Sequence, residues 1–254
     1  MRPIPLLLAI ALAACSQPPP PPPPPSPAQA NAAGDAALAA GHNQEALDDY
    51  NIAARQGDLT GKERIGALYT SGQGVVQDFN EAIQWLQAPA EAGDARAQFL
   101  LATIYDNGGS GVSKDPKTAL VWYRKAAEQG NAIAQYEVGR HANFGIGTTI
   151  DYAAALTWYQ RASTGGNSDA VTAIGVLYEQ GRGVKVDTAH ALKLFQQAAA
   201  AGNAEAMKDI GYMYLNGNGV PTNETIAYDW MRKAAAAGSD EAARRVAMRE
   251  MQTQ

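Results

Sequence analysis

From residue 34 onward the chain sets short apolar stripes, at helical spacing, between polar intervals. In one stretch Ala170, Ile174, Leu177 and Tyr178 fall at i, i+4, i+7 and i+8, one apolar face of an amphipathic helix. A second kind of stripe follows a glycine-rich interval, as in Ala119, Trp122 and Ala126. The two kinds then recur. Glycines at 57, 93, 130, 166, 202 and 238 are 36, 37, 36, 36 and 36 residues apart, and eight residues before them stand Asp49, Trp85, Trp122, Trp158, Leu194 and Trp230. An apolar residue followed by a small one recurs as Ile65-Gly66, Leu101-Ala102, Val138-Gly139, Ile174-Gly175 and Ile210-Gly211. Three residues past that small residue come Tyr69, Tyr105, Ala142, Tyr178 and Tyr214. Self-similarity at such a period marks an array of stacked units. The pattern predicts two antiparallel helices in each of five units, at 58–93, 94–130, 131–166, 167–202 and 203–238. A divergent helix pair at 34–57, with Tyr50 near the tryptophan position, precedes them. A lone capping helix at 239–254 follows, with Glu250 in place of the tyrosine, the polar end that an open stack requires.

The intervals carry chemistry only on first inspection. "LYTSGQGVVQD" at 68–78 has the glycine spacing of a phosphate-cradling loop, but it returns as "IYDNGGSGVSKD", "LYEQGRGVKVD" and "MYLNGNGVPTN", with a degenerate "HANFGIGTTID". No strand pattern precedes any copy, as a phosphate loop would need. The glycines are expected instead to end the first helix and permit the turn to the second. Asp78, Asp115, Asp151, Asp187 and Asn223 then stand where an N-cap belongs, and Pro116 suits a first helical position. Two places depart from the pattern. His141 and Ala142 replace the expected leucine and tyrosine of the third unit, so that unit should pack less well unless Phe144 swings in. Pro89 falls inside a second helix and should kink or shorten it.

The unit of about 36 residues, with small-x-x-Tyr, Gly-x-Gly-Val, Asp-x-x-x-Ala and Trp-x-x-x-Ala-Ala-x-x-Gly, resembles the Sel-1-like repeat family, a relative of tetratricopeptide repeats. The resemblance covers residues 58–238. It implies an all-α fold, an α-solenoid in which antiparallel helix pairs form a right-handed superhelix, mostly used as a non-catalytic protein-binding scaffold. It also implies that the first helices line the concave side. Counting the recurrent alanine of each first helix as zero, positions 2, 6 and 9 face away from the core stripe. They hold Phe99, Tyr136, Arg140, Val176 and Tyr212, expected to line a groove for a protein or peptide partner. The competing reading is that these rings tuck between adjacent units.

Composition and the N-terminus narrow the setting. A net charge of -5 in 254 residues argues against nucleic acid as partner. "MRPIPLLLAIALAACSQ" has a positive residue, an apolar run too short to cross a bilayer, and small residues before Cys15. Leu12-Ala13-Ala14-Cys15 resembles the bacterial lipobox, which implies that a signal peptide at 1–14 is removed and Cys15 is lipidated. With Ser16 next, it implies an outer-membrane lipoprotein facing the periplasm. Cys15 is the only cysteine, so no internal disulfide can form. Residues 15–33 read as a proline-rich linker, with Pro18 to Pro25 and Pro27 unable to enter helix or sheet. The histidines His42, His141 and His190 form no recognisable metal motif, and no nucleophile stands in a hydrolase motif. No metal, cofactor or enzymatic activity is therefore expected. Cysteine-rich relatives of the family have been assigned β-lactamase activity, but their paired cysteines are missing from this chain. A structural, cell-wall-contacting role is the remaining alternative to a scaffold.

Overall fold

The computed structural model describes residues 23–252, and thirteen α-helices of 13 residues each follow one another within them, with no strand. Helix α1 (Pro27–Ala39) pairs with α2 (Asn43–Arg55), and α3 (Leu59–Ser71) with α4 (Phe79–Glu91). The next pairs are α5 (Ala95–Asn107) with α6 (Pro116–Glu128) and α7 (Ala132–Phe144) with α8 (Tyr152–Thr164). Then come α9 (Ser168–Gln180) with α10 (Thr188–Ala200), α11 (Ala204–Asn216) with α12 (Glu224–Ala236), and the closing α13 (Asp240–Gln252). Each helix packs on its chain neighbours, which makes the body an α-solenoid. First helices of successive units also touch directly, α1 with α3, α3 with α5 and α9 with α11, whereas no two second helices are in comparable contact among the described residues. The first helices therefore line the inner side of the curve. Residues 1–14, Cys15 and prolines 18–22 lie outside the described residues.

Packing follows a column that the tryptophans conceal. The deepest large residue of each second helix is the one after the tryptophan position: Tyr50, Leu86, Tyr123, Tyr159, Phe195 and Met231, all at most 3% exposed. All but Tyr123 stand over a glycine of the paired first helix, Gly34, Gly66, Gly139, Gly175 or Gly211. A Cβ added to Gly175, for example, would lie 2.6 Å from the Phe195 ring. The tryptophans sit further out, and three of them carry a cation three residues on, Lys125 at 3.9 Å from the Trp122 ring, Arg161 at 4.7 Å from that of Trp158 and Lys233 at 4.2 Å from that of Trp230. In the first helices Ala170, Ile174 and Leu177 are buried as expected, but Tyr178 is only half-buried and meets the half-buried His190 edge-on at 4.5 Å.

The turns work as punctuation. Gly181 caps α9 in the left-handed region (φ 69°), and its N–H bonds to the carbonyl of Leu177. The second glycine of the loop allows a close approach between units. Gly183 lies against the start of the preceding unit's second helix, where a Cβ would fall 2.7 Å from Tyr152. The N-caps Asp78, Asp115, Asp151, Asp187 and Asn223 all accept backbone N–H groups as predicted. Their own N–H groups reach back to the carbonyls of Tyr69, Tyr105, Ala142, Tyr178 and Tyr214, closing each helix hairpin through backbone alone. The extra residue of the second unit is absorbed in a tight turn, with Gly109 and Val112 exchanging two hydrogen bonds and Ser110 at positive φ.

Two expectations are corrected. Helix formation begins at Pro27 rather than residue 34, because Ser26 caps it with a capping box and a proline at the first helical position gives up an N–H that has no partner there anyway. Pro89 does not shorten α4, which keeps its 13 residues with the ring buried. The exception allowed for the third unit is not taken: Phe144 stays 58% exposed, and His141 fills the core position, meeting Tyr123 edge-on at 5.6 Å.

Candidate functional site

On the inner side, α7, α9 and α11 frame a cleft of about 300 Å³. Its floor is aromatic. Tyr136 of α7 lies over Tyr159 of α8, with centroids 5.6 Å apart, and the exposed Phe144 stands at the rim. Burial pushes the hydroxyls of both tyrosines above the usual phenol range, so both stay protonated at neutral pH. Its walls are acidic. Asp169 of α9 and Glu205 and Asp209 of α11 line it, with Val176 and Thr172 filling between them. The Asp169 carboxylate accepts a hydrogen bond of 2.6 Å from Asn203, and Glu205 pairs with Lys208, which also reaches Glu241 at 3.1 Å. Asp209 makes no hydrogen bond or ion pair among the described residues, and desolvation pushes its carboxyl up to about 7. Asn143, 6% exposed, lines the cleft with an amide oxygen that lacks a hydrogen-bond donor.

An acidic, acceptor-rich cleft floored by rings suits a cation that also donates hydrogen bonds. An ammonium or guanidinium group could satisfy Asp209 while lying against a tyrosine face. Oxyanions and apolar groups would leave the Asp209 carboxylate without a donor.

The five residues proposed for the groove separate here. Tyr136 and Val176 come together in the cleft. Phe99 lies one unit earlier, half-buried with its ring 5.9 Å from Tyr123, so it joins the core. Arg140 is held by Asp106 and Glu137 at 2.6 Å each. Tyr212 donates to Glu241 at 2.7 Å under the Arg245 guanidinium, a contact with the capping helix. The acids were missed because they lie off positions 2, 6 and 9. A signal was present: the residue before the recurrent alanine is Asp169, Glu205 and Glu241 in the last three first-helix positions of the array. Asn143 stands at position 9, within the predicted face.

Beside the cleft, α5 and α7 bring Asp106, Glu137 and His141 within 4.8 Å of one another, although the sequence showed no metal motif. Glu137 and His141 are four residues apart on one helix face, and Asp106 arrives from the preceding unit.

The family model for the Sel1 repeat matches residues 63–94, 95–131, 132–167, 168–203 and 204–239. The chain is 34% identical to a Sel1 repeat protein from Oxalobacter formigenes, over 85% of this chain and 86% of that one, with a TM-score of 0.79. It is 28% identical to c5321, a protective antigen of uropathogenic Escherichia coli with the same repeat fold, over 87% of this chain and 49% of that one, with a TM-score of 0.72. A Sel1 repeat protein from Klebsiella pneumoniae subsp. pneumoniae, 24% identical over 80% of this chain and 98% of that one, shares the fold at a TM-score of 0.51. No curated protein matches by sequence. Repeats of this kind generally serve protein–protein binding, and the fold is typically a non-catalytic scaffold.

Proposed function

Because the chain belongs to the Sel1 repeat family, we propose that it is a non-catalytic scaffold of the bacterial cell envelope whose inner cleft receives a basic side chain of a protein partner. The observation that carries the reading is the cleft itself: desolvated Asp209, which makes no hydrogen bond or ion pair among the described residues, over the tilted pair of Tyr136 and Tyr159. Retaining a desolvated carboxylate that no cation contacts directly is costly for folding, and such groups cluster where ligands supply opposite charge. Lysine or arginine in an extended segment would supply it, with Phe144 at the rim covering the aliphatic stem. A lipid on Cys15, followed by the proline-rich stretch, would hold the scaffold at the membrane with its cleft free.

Fluorescence anisotropy tests the cleft with short labelled peptides that differ only in a central lysine, arginine or norleucine. Binding of the basic peptides and not of the norleucine peptide is expected. Asp209→Asn and Phe144→Ala should each weaken it by about tenfold, the scale of one charge-assisted contact or one rim aromatic. Equal binding of all three peptides, or an unaffected D209N, would sink the reading. Affinity should also fall as pH drops below about 7, where Asp209 takes up its proton. For the anchor, Cys15→Ser should lose lipid labelling and leave the membrane fraction. A wild type that carries no label removes that part.

A further inference from the structure

His141 occupies a core position but carries a polar atom that the core does not use. Its ring is 0% exposed at the site that Leu68, Ile104, Leu177 and Met213 fill in the other units. Nδ1 lies 2.9 Å from the carbonyl oxygen of Ile146, and a carbonyl can only accept, so Nδ1 carries the ring proton and donates it. Nε2 of the neutral ring is then a lone pair. It is buried without a hydrogen-bond partner and faces Oδ1 of Asp106 at 3.3 Å, a distance at which an ion pair would form only if the ring were charged. Two acceptors facing each other away from water repel unless a proton or a metal ion stands between them. Arg140 does not fill that place, because its guanidinium holds the other Asp106 oxygen, Oδ2, and Oε2 of Glu137.

We infer that Asp106, Glu137 and His141 form a binding site for a borderline divalent cation, of which zinc fits best. Each offers one ligand atom, and all three atoms lie within 4.8 Å of one another. Around tetrahedral zinc, ligand atoms at about 2.0–2.1 Å from the metal stand about 3.3 Å apart. The Nε2 to Oδ1 separation already has that value. One imidazole with two carboxylates is a donor set for a borderline ion rather than a soft one. The Ile146 carbonyl plays the outer part that orients a ligating histidine, fixing the tautomer that offers Nε2 to the metal. Arg140 is the competitor. Its side chain is 30% exposed and can turn to solvent as the metal takes over both carboxylates. A cation here is independent of the cleft, and it accounts for a histidine where the array otherwise places an aliphatic residue.

Full-length protein stripped with a chelator and titrated with zinc alone tests it. A saturable rise in melting temperature with one zinc per chain is expected, and cobalt in its place should give visible absorption of a nitrogen- and oxygen-ligated ion. His141→Leu restores the residue type of the other units, so it should fold and lose both signals. Glu137→Gln, nearer the surface, gives an independent check and should weaken zinc binding by about tenfold, whereas Arg140→Gln should tighten it by a similar factor. No saturable zinc effect, or one that H141L and E137Q both retain, overturns the site. An R140Q protein that binds zinc more weakly than the wild type overturns the part given to Arg140 as competitor.

Discussion

Asp209 sits where desolvation and function oppose each other. Its carboxyl is held up to about 7 because burial disfavours the charge, with Glu205, Glu179 and Glu241 adding to the effect and Lys208 opposing it. In the unfolded chain it titrates near 3.8. Between those values the folded state keeps a proton that the unfolded state has released, so stability falls as pH rises from about 4 to 7 and stays low above. Asp209→Asn removes the charge and keeps the shape. It should therefore stabilise the protein at pH 8, by on the order of 1–2 kcal/mol for this partly exposed group, and change little at pH 4. Paired thermal melts at the two pH values check this, and a variant that gains nothing at pH 8 would mean the carboxylate is better solvated than its surroundings indicate. The same substitution is expected to weaken the cleft, so stability and binding should move in opposite directions.

At the scale of the helix, the array was legible because its signals are local and repeated. Glycine spacing, N-caps and the apolar stripe depend on neighbours in the chain, and they placed the helices of five units correctly. The deepest column was not legible. Tyr123, Tyr159 and Phe195 lie beside larger tryptophans or a leucine, and which of two adjacent apolar residues turns inward is decided by the small residue on the partner helix. The cleft was half legible. Angular position along one helix found Tyr136 and Val176, but bringing Asp169 and Asp209 to the same opening depends on how successive units lie against each other. Pro89 was misjudged, since α4 keeps its 13 residues around the buried ring. The packed small column makes a sharp prediction. Gly175→Leu must displace the Phe195 ring, which a Cβ alone would meet at 2.6 Å, and should cost about 1–3 kcal/mol in denaturant melts. An unchanged midpoint would show that α9 and α10 can separate freely.

The whole molecule is a row in which each helix depends chiefly on its neighbours, and α13 ends it with little buried beyond Ala242. The cleft belongs to that row and to no loop or lid, since its lining comes from three successive units. Its width is consequently a reading of the row's curvature. With helices packed about 8–10 Å apart, a rotation of ~5° at one interface moves facing surfaces by about 1 Å. A partner that widens or narrows the cleft is therefore expected to change that curvature, and a change of curvature to alter the grip. Fluorescent labels on cysteines introduced at Glu45 and Met248, with Cys15 replaced, can report the end-to-end distance. A shift in energy transfer on adding the lysine peptide is expected, and its absence despite binding would mean the row is stiff. Tension along the scaffold would then translate directly into the lifetime of the bound partner, making the solenoid a mechanical gauge as much as a platform.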